Sequence, residues 1–300
     1  MASPVLSSQL DCQTDPLKGA QLRRVCARVL GSWHLASLDA PCVAVVWAYA
    51  LALAAHVRLQ PWIAVLLFTG TWTVYVIDRI LDAGRAIIAQ TPALLRERHH
   101  FHWRYRRALI PLAACTGAAA VAIILRLMPA TAREHDSVIA AAALAYFSSV
   151  HSSARFPHSL RRLCSKEMLV GILFAAGCVA PTLTRIRSAF LWPTFLSFAF
   201  LAGIAWLNCA AISRWESHRS SRDISGAGVT ICLAGLGVAI MLPPPLGGTS
   251  ILFICVAFSA LMIAGLNHLR HRLEPVTLRA LADLVLLTPA VLLISRVWPE

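Results

Sequence analysis

Residues 61–82 read PWIAVLLFTGTWTVYVIDRILD. Residues 61–80 approach the length of roughly 20 that a helix needs to cross the hydrocarbon core of a bilayer. Backbone groups in lipid must find their partners within the segment, so the stretch is expected to be a transmembrane helix. It ends in charge, at Asp78, Arg79 and Asp82. Eight further apolar segments fit the same pattern, at 37–57, 108–128, 137–152, 167–184, 189–212, 225–243, 249–268 and 279–297. The 137–152 segment is the shortest and ends in polar Ser148, Ser149 and His151. The expected fold class is an all-α membrane protein with nine transmembrane helices.

Composition agrees. Of 300 residues, 58% are hydrophobic and 14% charged. An average soluble domain is nearer 45–50% apolar and about 25% charged. A single globule of this length has too little interior for so much apolar surface. A soluble enzyme, a disordered tail and a secreted disulfide scaffold are therefore excluded. The nine cysteines form no Cys-x-x-Cys pair, and most lie in apolar runs, as small buried hydrophobes do.

The net charge is +13, from 27 basic and 14 acidic side chains. The basic residues stand in short clusters between apolar runs, the pattern of topology signals, and no nucleic-acid motif accompanies them. With a cytosolic N-terminus and nine spans, inside segments hold 21 basic residues and outside segments 6. That bias predicts an N-in orientation. Residues 1–34 lack the order of a signal peptide and are expected to be a cytosolic tail, leaving 35–300 as one transmembrane domain. The run RERHHFHWRYRR at 96–107 suggests an amphipathic surface piece, with His99, His100 and His102 on a solvated face among arginines.

Carboxylates near a bilayer carry the functional signal. Asp78 and Asp82 are i, i+4 on one helix face at the cytosolic mouth. Two such carboxylates repel unless a cation lies between them, and Mg²⁺ suits oxygen ligands. The bland alternative is a pair of helix-end charges neutralised by Arg79 and Arg85. A second acidic group follows in LNCAAISRWESHRSSRD, residues 207–223, with Asn208, Glu216 and Asp223. By the topology it faces the same compartment. Metal ligands are expected at Asp78, Asp82, Glu216 and Asp223, with Asn208 beside them. A third inside loop, ARFPHSLRRLCSKEMLVG at 154–171, offers Arg161, Arg162 and Lys166 as phosphate clamps or as plain anchoring charges. Asp283 lies inside the last apolar segment and is expected to pair with Arg279 four residues earlier. Asp39 is expected to open the first helix.

These three loops together resemble those of the UbiA superfamily of intramembrane prenyltransferases. Its first signature, Asn-Asp-x-x-Asp-x-x-x-Asp, matches here only in its second half, at Asp78 and Asp82, with Val74 and Tyr75 at the Asn and first Asp. Its Tyr-Pro-x-x-Lys-Arg linker is similar to FPHSLRR, with Phe156 at the Tyr, Leu160 at the Lys and Arg161 at the Arg. Its second acidic signature is matched in part by Asn208 and Glu216, with Cys209 at another Asp and Asp223 as a looser match. The resemblance covers roughly residues 35–297 by topology. It implies a central apolar cavity opening to the cytosol. A bacterial inner membrane is the expected location, with an organelle membrane as the alternative.

It also implies a reaction. Mg²⁺ would hold the diphosphate of an isoprenyl donor, with Arg79, Arg85, Arg161 and Lys166 as phosphate contacts and Asp78, Asp82, Asn208 and Glu216 as catalytic residues. The prenyl group would pass to an aromatic or other lipophilic acceptor. In a terpene cyclase of the same superfamily, the chain's own double bond captures the cation. Trp47, Trp72, Tyr75, Phe147, Phe174, Trp206 and Trp215 are candidate cavity aromatics, or else ordinary packing and interface residues. A transporter and an inactive scaffold of the same fold are the rivals from other classes. No internal repeat supports a transporter.

Overall fold

The computed structural model describes residues 25, 28–91, 95–151, 165–217 and 222–297. No strand occurs among them. The helices are α1 (Arg28–Leu35), α2 (Asp39–Ala54), α3 (Pro61–Ile88), α4 (Glu97–Arg104), α5 (Arg106–Leu127), α6 (Ala130–His151), α7 (Lys166–Leu183), α8 (Leu191–Glu216), α9 (Arg222–Met241), α10 (Gly247–Leu269), α11 (Pro275–Val285) and α12 (Ala290–Val297).

Six of these helices, α3, α5, α7, α8, α9 and α10, are long and apolar enough to cross a membrane. A seventh span arises if α1 and α2, bent by 84°, count as one. These long apolar helices mark a membrane protein. Their outer faces carry exposed apolar side chains such as Val65, Ile110, Leu125, Phe195 and Phe258, a surface suited to lipid.

The nine expected segments all form helix, but three fall short of a clean span. The first is bent at 36–38, where Ser37 adopts a left-handed backbone with φ of 60°. α6 opens with the charges of Arg133, Glu134 and Asp136. The ninth breaks into α11 and α12 around Pro289, which has no N–H to donate. The carbonyls freed at that break are taken up by neighbours. Trp47 Nε1 donates to the Leu286 carbonyl at 2.9 Å, and Ser259 Oγ to that of Val285 at 2.8 Å. Irregular backbone inside a helical membrane protein persists only with such partners.

The core gathers around α2, α7, α8 and α10, with Trp47, Leu51, Val179, Leu201, Leu207, Leu252 and Ile263 all buried. α7 and α8 cross at backbone distance. A Cβ on Gly171 would lie 2.8 Å from both the Ala202 carbonyl oxygen and the Trp206 nitrogen. Small residues allow such approach where no hydrophobic force between helices exists. On α9, Gly228 and Gly235 meet the α10 backbone in the same way, at 2.9 Å from the Ala260 oxygen and 3.1 Å from the Phe253 oxygen. α3 packs on α2 and α5, and α4 lies across its end, where the Trp103 ring sits 3.3 Å from the position of a Cβ on Gly84.

Trp72 and Trp215 are pinned by hydrogen bonds, Trp72 to the Ala36 carbonyl at 3.0 Å and Trp215 to Asn267 Oδ1 at 2.8 Å. With Trp47 they serve the frame of the bundle.

Candidate functional site: two polar centres at one end of the bundle

The first centre forms where α3 emerges and α4 folds across it. Asp78 and Asp82 are half-buried on one helix face, and Arg79 between them is buried. The Arg79 guanidinium lies 5.7 Å from the centre of the Tyr75 ring. Its Nη1 is buried with no hydrogen-bond partner. Arg85 is exposed in the last turn of α3.

α4 departs from the expected solvated face. His100 is exposed, but His99 and His102 are buried. Packing on α3 is the cause. Burial, followed by the guanidiniums of Arg98, Arg79 and Arg96, pushes the His99 imidazole down to about 3. Burial likewise pushes His102 down to about 4, against a hydrogen bond to the Arg98 carbonyl. Both rings are neutral at physiological pH. His102 Nδ1 donates to that carbonyl at 2.7 Å, so its Nε2 accepts from the Ser37 hydroxyl at 3.1 Å. His99 Nε2 stands 4.0 Å from Asp82, and its Nδ1 has no partner. The helix-end carboxylates thus face an assembly of arginines and neutral imidazoles.

Glu216 ends α8 in the same region. Its side chain is 4% exposed and is held by three arginines: Arg96, Arg98 at 3.6 Å and Arg279 at 2.9 Å. This corrects two expectations. Glu216 was expected to ligate a metal, but guanidiniums surround it and supply its counter-charge. Arg279 was expected to pair with Asp283, but its head turns to Glu216 on another helix. Asp223 was expected beside Glu216. Its side chain is instead 80% exposed in the first turn of α9, 3.7 Å from Arg214. Lys166 is exposed at the start of α7, where Ser165 Oγ accepts the Met168 N–H as a cap. Arg161, with Phe156, Leu160 and Arg162, lies outside the described residues.

The second centre was not foreseen as a unit. His34 from α1, Asp39 from α2, Asp283 from α11 and Asn208 from α8 converge in the interior. His34 Nδ1 donates to Asp39 Oδ2 at 2.6 Å and lies 3.4 Å from Asp283 Oδ2. Asn208 Nδ2 donates to Asp283 Oδ1 at 2.8 Å. Asp39 does open its helix, since its Oδ1 accepts the Ala40 N–H at 2.9 Å, but its other oxygen belongs to this cluster. His34 falls at the edge of the expected N-terminal tail, and its ring is nonetheless 1% exposed. The available signal was two acids inside apolar runs. Their pairing across helices distant in sequence had none.

A pocket of about 270 Å³ lies at the same end, lined by Arg214, Trp215, Glu216, Arg270, Leu273 and Arg279 among others. Its wall mixes the arginines with apolar Trp215, Leu273, Pro275 and Leu278. Compared with protein-family models, curated proteins and solved structures, the chain matches none.

Proposed function

We propose that this chain ionises an isoprenyl diphosphate at the membrane surface and transfers the prenyl group to an aromatic or other lipophilic acceptor. One observation carries the reading. A buried arginine, Arg79, with an unpartnered Nη1 lies in the same turn of α3 as two half-buried carboxylates, where an apolar helix ends. A buried donor without a partner costs about 1–3 kcal/mol. A phosphate oxygen would satisfy it, and Arg suits phosphate better than any other side chain. Arg98, whose Nε is also buried and unpartnered, extends the same donor surface.

Asp78 and Asp82 would hold Mg²⁺, since both offer hard oxygen donors on one face. When bound, the ion supplies Lewis-acid stabilisation of charge on the departing diphosphate. The chain's own residues do the rest. Arg79 and Arg98 bind and orient the phosphates. His99 and His102 stay neutral, so they add hydrogen-bonding capacity without charge. Apolar helices keep water from the isoprenyl tail. A UbiA-like bundle of nine spans with a central apolar cavity, a cytosolic N-terminus and residence in a bacterial inner membrane complete the proposal. Glu216, with its three arginines, is the strut that holds α4 over the mouth.

The test is Mg²⁺-dependent diphosphate release by purified protein from geranyl, farnesyl and geranylgeranyl diphosphates. The Asp78→Ala, Asp82→Ala double variant is expected to lose it. Absence of release from every donor by folded wild-type protein refutes the proposal. Mass spectrometry of the products then separates a prenylated acceptor from a cyclic terpene formed without one.

A further inference from the structure

We propose that His34, Asp39 and Asp283 bind a divalent transition-metal cation, with Asn208 as a fourth ligand, at a site separate from the helix-end carboxylates Asp78 and Asp82. One ligand atom from each of the three residues lies within 4.8 Å of the other two. The three come from different helices, so the site is a product of the tertiary fold. His34 and Asp39 are 1% and 2% exposed, and the Asp283 side chain 17%.

Charge demands a counter-ion here. Two carboxylates in so dry a place need positive charge close by. Arg79 interacts electrostatically with both and supplies a single charge. The remaining negative charge is met by a proton on His34, by a proton shared between Asp39 and Asp283, or by a metal ion.

Asn208 favours the metal. It is 6% exposed, and its amide is held at Asp283 through Nδ2 at 2.8 Å. Its Oδ1 is buried and has no hydrogen-bond partner. That bare oxygen, on an amide already tied to Asp283, is open to a cation held by the three ligands.

Geometry permits it. Ligands about 2.0–2.2 Å from a tetrahedral ion stand roughly 3.3–3.6 Å apart. His34 Nδ1 and Asp283 Oδ2 are already 3.4 Å apart. His34 Nδ1 and Asp39 Oδ2, at 2.6 Å, must separate by about 0.8 Å to match. Binding displaces the Nδ1 proton to solvent, and the nitrogen lone pair becomes the ligand. A nitrogen donor among oxygens favours Zn²⁺ or Co²⁺ over Mg²⁺.

The experiment uses the full chain in detergent, stripped of metal, equilibrated with Zn²⁺ or Co²⁺ and desalted. Metal per chain is counted by elemental mass spectrometry, and Co²⁺ coordination is read from its visible absorption. Wild type is expected to retain about one equivalent. His34→Gln and Asp283→Asn are expected to retain at least roughly tenfold less, and exposed His100→Gln as much as wild type. Should either depleted variant fail to fold, Asn208→Asp keeps the question open to refutation. It adds a charged oxygen at nearly constant size, and should tighten Zn²⁺ binding roughly tenfold or more. Folded wild type without bound metal, Asp283→Asn with full metal, or Asn208→Asp with unchanged affinity each overturns the assignment. Diphosphate release is measured separately with Mg²⁺, so either proposal can fail alone.

Discussion

Gly171 and Gly177 lie on the same helix and differ in one respect. A Cβ on Gly171 would meet backbone of α8 at 2.8 Å, whereas one on Gly177 would meet nothing within 4 Å. Replacing either by Ala gains the same helix propensity, about 0.8–1.0 kcal/mol. That gain cancels when the two variants are compared with each other. What remains is the clash. Ordinary Cβ contacts begin near 3.4 Å, so α7 and α8 must move apart by about 0.6 Å around Gly171. The atoms in the way, Ala202 O, Trp206 N and Trp206 Cα, are all main chain and cannot rotate aside. Overpacking of this kind costs typically about 1–3 kcal/mol. Gly171→Ala should therefore be about 1–3 kcal/mol less stable than Gly177→Ala. At about 2–4 °C per kcal/mol, the melting midpoints in detergent should differ by roughly 2–12 °C. Thermal unfolding followed by cysteine accessibility or by loss of the monodisperse peak reads this directly. Equal midpoints for the two variants would show that the helices do not cross at backbone distance, and the packing of the bundle would need redrawing.

Other outcomes follow from the polar centres. Glu216→Gln leaves Arg96, Arg98 and Arg279 without their shared counter-charge. It should cost about 3–5 kcal/mol, as the breaking of buried pairs does, whereas Asp223→Asn at an exposed pair should cost under about 1 kcal/mol. Chemical denaturation of the two variants tests the contrast, and equal losses would sink it. His99 and His102, held near 3 and near 4, contribute stability in full above the unfolded histidine value of 6.5. That contribution is lost as pH falls from there towards their folded values, because the unfolded chain takes up protons that the folded chain refuses. The midpoint should drop with acidification below about pH 6.5, with a shallower slope in His99→Gln, His102→Gln protein. An unchanged slope would mean that these rings are open to water.

The helices were legible because apolar length is a local property. Expected spans at 61–80, 189–212 and 249–268 correspond to Pro61–Ile88, Leu191–Glu216 and Gly247–Leu269. Their ends run on into charged turns that face the same end of the bundle, and hydropathy alone does not see those turns. The i, i+4 placement of Asp78 and Asp82 on one face was equally local and holds. The same arithmetic misled for Asp283. Arg279 stands four residues before it on α11, yet the long Arg side chain finds Glu216 instead, and Asp283 turns to His34 and Asn208. His99 and His102 read as surface because their neighbours are arginines, and only the packing of α4 against α3 buries them. Residues 279–297 were expected to form one span, and the break around Pro289 was not foreseen. Its tolerance depends on Trp47 and Ser259, which the linear order keeps far away.

Gly228 and Gly235 stand seven residues apart, two turns along one edge of α9, and both rest on α10 main chain. Gly226 and Gly237, their neighbours on the other side, face open space. Drift in this pair of helices is thus constrained along a single edge. Side chains can accumulate freely at 226 and 237 over evolutionary time, while any atom gained at 228 or 235 wedges the hairpin open along its whole length.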